Sequence, residues 1–99
     1  MAEYKNKSTD TLMEVIASLS GKEDCYAFFE DVCTIKEMQD MAQRLETAIL
    51  LKEGQSYQKI SALVGASATT ISRVNKCLNY GSGGYKLAID YLNGKDDKK

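Results

Sequence analysis

Apolar residues recur three and four apart along most of the chain, the repeat of helices that bury one side. Leu12, Met13, Val15, Ile16 and Leu19 form the first such stripe, which stops at Ser20-Gly21 and predicts a helix over 10–19. Tyr26, Phe28, Phe29 and Val32 keep the rhythm and predict a second over 23–32, one that carries both phenylalanines to a core or a subunit interface. Thr34-Ile35-Lys36-Glu37 has the spacing of a capping box, in which the threonine hydroxyl accepts from an orphan amide and the glutamate reaches back to the threonine N–H. A third helix therefore starts there. Met38, Met41, Leu45, Ala48, Ile49 and Leu51 extend it over 35–53, to Gly54 as the left-handed exit residue.

Two shorter amphipathic runs follow. Ser56 can cap a helix over 57–63 and Ser67 one over 68–78, with Val64-Gly65-Ala66 between them. Helices joined so briefly must cross steeply, and Gly65 supplies a residue able to take positive φ at the turn. Residues 57–78 thus read as a helix-turn-helix, with Ile60, Val64, Ile71 and Val74 expected inside its angle. After a connection expected to be flexible, Gly81-Ser82-Gly83-Gly84, the residues Leu87, Ala88, Tyr91 and Leu92 predict a sixth helix over 85–93. With no proline to break a helix, the fold class is all-α. The expected organisation is a flexible N-terminus over 1–8, one helical domain over 9–93 and a flexible, charged C-terminal tail over 94–99.

A chain of 99 residues buries only about 60–70% of its unfolded surface, so these stripes call for a partner subunit. No apolar run has the length of a membrane span and the N-terminal stretch lacks the apolar core of a signal peptide, so no membrane partner and a cytoplasmic location are expected. Cys25, Cys33 and Cys77 are odd in number, far apart and unaccompanied by any histidine. They read as buried or half-buried thiols, with no disulfide framework and no metal site, and Cys77 beside Lys76 as the one candidate for a reactive thiol. Without histidine, catalysis would need a reactive cysteine or paired carboxylates, and the carboxylates are scattered over helix surfaces. No enzyme and no cofactor are expected.

Charge placement carries more than the net charge of -1. No acid occurs between Glu53 and Asp90, whereas Lys59, Arg73, Lys76 and Lys86 lie in that interval. One basic face on an acidic body suits an encounter with phosphate. On the fifth helix Ala68, Thr69, Thr70, Ser72, Arg73 and Lys76 are short or basic, where an ordinary surface helix would carry glutamate. The candidate double-stranded DNA interface puts Ser67, Ala68, Thr69, Thr70 and Ser72 nearest the bases and Gln58, Lys59, Arg73 and Lys76 on phosphate. The cations could instead form a solvated face, and the alternative function is a dimeric helical protein-interaction module whose hairpin packs on another protein rather than on DNA.

The run from Thr34 to Leu78 resembles the Trp repressor superfamily, and more narrowly its YerC/YecD-type members, most closely in LVGASATTISRVNKCL with the core Thr70-Ile71-Ser72-Arg73. The resemblance implies six helices in an intertwined homodimer, its first three helices and last helix interlocked with the partner's, acting as a transcriptional repressor. It also implies an effector site in which Thr34, Arg44 and Arg73 stand where tryptophan-responsive relatives hold their ligand, Arg44 after alignment on Gly54 with one residue deleted before Ser56. Val74 replaces a glycine of those relatives and Cys77 a serine. A branched side chain would fill space an indole edge needs, and a thiol bonds a ligand's polar end less well than a hydroxyl. Tryptophan is therefore not the expected effector, and the identity of any other stays open. Without a ligand, Arg44 and Arg73 are expected to pair with Glu37, Asp40 or Glu46, or with phosphate.

Overall fold

The computed structural model describes residues 4–97, with side chains through Lys95. Six helices follow one another: α1 Lys7–Ser18, α2 Gly21–Val32, α3 Ile35–Lys52, α4 Tyr57–Val64, α5 Ala68–Tyr80 and α6 Gly84–Asp97. No strand occurs among the described residues. The chain divides into two units, one ending at Met38 and the other starting at Gln39.

In the first unit α1 begins earlier than its apolar stripe implies, inside the stretch 1–8 read as a flexible terminus. The cause is a capping box built on Asn6. Its side chain accepts the Thr9 N–H at 3.0 Å while the Asn6 N–H donates to Thr9 Oγ1 at 2.8 Å, so two orphan amides are satisfied before Leu12 is reached. Ser20 gives α2 no side-chain cap; its own N–H donates to Asp24 Oδ2 at 3.2 Å. Phe28 and Phe29 meet edge to face with ring centroids 5.2 Å apart, the geometry ring quadrupoles favour. The Thr34 box forms as expected, with the Thr34 N–H on Glu37 Oε1 at 2.8 Å and the Glu37 N–H on Thr34 Oγ1 at 3.0 Å. Neither α1 nor α2 buries a residue fully, and Met13, Tyr26 and Val32 are each more than half exposed.

The second unit holds the core. α3 ends in a Schellman arrangement: the Gly54 N–H donates to the Leu51 carbonyl at 2.9 Å and the Gln55 N–H to that of Leu50 at 3.1 Å. Ser56 and Ser67 cap α4 and α5 through the N–H groups of Lys59 and Thr70, at 3.1 and 3.2 Å. Two buried clusters result. Ile60, Ala66 and Ile71 close the angle between α4 and α5, backed by Leu50, Leu51 and Val64. Ala48, Val74 and Ile89 join α3, α5 and α6, backed by Ile49, Leu51, Leu78 and Tyr85.

Val74 thus leaves the hairpin angle assigned to it, because the inner side of α5 is wide enough to face two neighbours and its C-terminal half meets α3 and α6. Ala66 takes the vacated place, at 1% exposure. The flexible connection shortens to Gly81-Ser82-Gly83, and α6 runs on to Asp97 through part of the tail expected to be unstructured. Residues 98 and 99 lie outside the described residues. Gly81 is constrained rather than free: its φ of -85° suits any residue, but a Cβ there would fall against the Cys77 carbonyl, the acceptor of the Gly81 N–H. Cys25 and Cys33 are half-buried, whereas Cys77 is exposed and not buried, since it lies off the arc that Ile71, Val74 and Leu78 occupy.

Candidate nucleic-acid interface

The hinge between α4 and α5 depends on Gly65, which caps α4 with φ 76° and ψ 12° and whose N–H donates to the Ser61 carbonyl at 2.9 Å. This left-handed residue turns the chain within three positions, and Ser67 opens the next helix. The turn is also held from α3. Gln43 Nε2 donates to the Val64 carbonyl at 3.1 Å, satisfying one of the last carbonyls of α4, and the Thr47 hydroxyl donates to the Gln43 carbonyl at 2.8 Å. Thr47 is buried, so its hydroxyl needs that partner. The hydrophobic pattern carried no sign of this latch, because polar residues inside a helix usually face water.

At 100° per residue, Ile71, Val74 and Leu78 span about 60° of α5 and Ser72, Lys76, Thr69 and Arg73 about 100° on the other side. Burial follows that division. Ile71 and Val74 are 0% and 2% exposed, and all four of the outward residues are exposed. Gln58, Lys59, Ser67 and Ala68 are exposed as well, and Thr70 is half-buried. Ser67 and Thr70 spend their hydroxyls on each other, since Ser67 Oγ accepts the Thr70 N–H and donates to Thr70 Oγ1 at 3.2 Å. Along the outward arc, Thr69 and Ser72 have no such bond among the described residues. The hairpin presents an acid-free face with hydroxyls, methyls and cations at its surface.

The residues matched to an effector are divided between the two units. Thr34 belongs to the first unit, where its hydroxyl serves the α3 cap. Arg44, Arg73, Val74 and Cys77 belong to the second; the arginines and the thiol are exposed, while Val74 is core. Neither arginine is held in an ion pair among the described residues, so the expected pairing with Glu37, Asp40 or Glu46 is not made. Among the described residues no helix is long and apolar enough to cross a membrane.

Comparison with known proteins agrees with this geometry. The profile of the Trp repressor protein family matches residues 7–93. The uncharacterized protein YerC of Bacillus subtilis (strain 168) is 52% identical over 88 residues, covering 89% of this chain and 85% of that protein. A TrpR like protein from Eubacterium eligens ATCC 27750 superposes with a TM-score of 0.90 at 42% identity, over 94% of this chain and 96% of that one. A candidate Trp repressor from Staphylococcus aureus does so with a TM-score of 0.88 at 38% identity, over 92% and 91%. Sequence, element order and three-dimensional likeness converge, and the chain belongs to the Trp repressor family.

Proposed function

We propose that the protein is a sequence-specific DNA-binding transcriptional regulator, a repressor, that works as an intertwined homodimer and reads the major groove with α5. One observation carries this reading: the outward arc of α5 is exposed, free of acids and made of short or basic side chains, directly opposite an arc buried to 2% or less at Ile71 and Val74. A short side chain lets a helix approach base edges, and Arg73, Lys76, Lys59 and Gln58 flank that approach as phosphate contacts. Because Ser67 and Thr70 are bonded to each other, they hold the N-terminal turn in shape, and the base contacts fall first to Thr69, Ser72 and the methyl of Ala68.

The dimer is supported by the first unit. A pair of helices with no fully buried residue, and with Met13, Tyr26 and Val32 mostly exposed, presents the apolar surface of an interaction site. The partner's apolar surface covers them. Tryptophan is not the effector in this reading, since Val74, packed with Ala48 and Ile89, stands where tryptophan-responsive relatives have a glycine. Selection of bound duplexes from a random library tests the proposal. Two related half-sites whose centres lie one turn of DNA apart, about 34 Å, as is general for helix-turn-helix dimers, are the expected result. A protein that enriches no sequence is instead the interaction module.

A further inference from the structure

A concave feature lies on another side of α5 and belongs neither to the reading arc nor to the residues matched to an effector. Leu51 and Lys52 at the end of α3, Asn75, Leu78 and Asn79 on α5 and Lys86 on α6 line a cavity of about 240 Å³. On α5, Asn75 and Asn79 stand about 160° away from Arg73 and Cys77. No acid lines it, and neither lysine has an ion pair among the described residues.

We propose that this cavity is a binding site for a small phosphorylated molecule. Two lysines lining one cavity can bring their ammonium groups to a dianion, and a phosphate monoester carries nearly two negative charges at neutral pH. Asn79 Nδ2 donates to both the Asn75 carbonyl at 3.0 Å and Asn75 Oδ1 at 3.2 Å. With its Oδ1 so engaged, Asn75 keeps its Nδ2 hydrogens for an incoming oxygen. The volume exceeds a bare phosphate and admits a few further heavy atoms, which the Leu51 and Leu78 side chains would meet. Those leucines also back the Ala48–Val74–Ile89 cluster. A ligand there would tie α3, α5 and α6 together and set the attitude of the reading helix; that regulatory consequence rests on the proposed function, whereas the binding does not.

Calorimetry on the full chain without DNA, using glycerol phosphate and inorganic phosphate, tests the site. One saturable event per chain is expected, weakened by roughly tenfold or more in Lys52→Gln and in Lys86→Gln and unchanged in Lys22→Gln, an exposed residue of α2 outside the cavity lining and the candidate DNA interface, since each ammonium of the cavity supplies a charge-assisted bond. Both lysines are exposed, so circular dichroism should show the variants folded. No saturable heat with either compound, or heat that both pocket variants retain, overturns the site. A DNA salt slope that falls by about one in Lys52→Gln, with no binding of free phosphate, would reassign the lysines to the DNA backbone and also overturn it. None of the calorimetric outcomes depends on DNA reading, so failure of one proposal is distinguishable from failure of the other.

Discussion

Replacing Gly65 probes the turn that makes the hairpin. At φ 76° an L-residue brings its Cβ toward the following carbonyl, at a cost of about 1–2 kcal/mol. No clash adds to that, because the nearest non-neighbouring atom to a Cβ built there is Gln43 Nε2 at 4.0 Å, an ordinary contact. Alanine also restricts the unfolded chain, which returns about 0.4–1 kcal/mol. The net expected loss for Gly65→Ala is therefore about 0.8 kcal/mol, within bounds of about 0–1.6 kcal/mol, from backbone conformation alone. Asparagine visits the left-handed region more readily, so Gly65→Asn should lose less, and β-branched Gly65→Val should lose more. Urea unfolding at one fixed protein concentration reads the series. With slopes of about 1–3 kcal/mol per molar, the alanine midpoint should fall by a few tenths of a molar to about 1 M, at unchanged slope. An alanine variant more stable than the parent, or an asparagine variant less stable than the alanine one, would refute the reasoning.

Gly81→Ala should also destabilise, by about 1 kcal/mol or more, because the new Cβ displaces the Cys77 carbonyl from the 2.8 Å bond it accepts. Amide exchange at the end of α5 should quicken, and an unchanged rate would contradict the contact. Sedimentation at micromolar concentration should show a dimer with little monomer, given the uncovered apolar residues of α1 and α2. A compact, folded monomer would argue against interlocking. Titration with L-tryptophan should give no saturable heat at micromolar concentration, since Val74 is already packed against Ala48 and Ile89. Tight binding would restore a corepressor.

What local chemistry decides was legible in the chain before any coordinates. Ser56, Ser67 and the Thr34–Glu37 box cap the helices they were assigned to, and Gly65 turns the hairpin with positive φ. These depend on side chains three residues away or on one backbone angle. The start of α1 was missed because Thr9 takes the role usually given to glutamate in a capping box, three residues before the apolar stripe begins. Longer-range choices were less visible. Periodicity assigned Val74 to the inner side of α5 correctly, yet which neighbour it meets is settled by α6, and the burial of Ala66 by how tightly Ile60 and Ile71 close. The Gln43 bond to Val64 joins residues 21 apart and has no local signal. Among the candidate interface residues, exposure followed from helical arithmetic, but the mutual bond of Ser67 and Thr70 did not.

The most direct test of the DNA-reading claim is a binding series on selected duplexes with Thr69→Ala and Lys76→Ala across a range of salt. Thr69 is proposed to meet a base edge, so its loss should change preference among sites by about 1–3 kcal/mol while leaving the salt slope alone. Lys76 is proposed to meet phosphate, so its loss should weaken every sequence alike and lower the slope by about one. Affinity and salt dependence unchanged in both variants would mean that α5 does not read DNA.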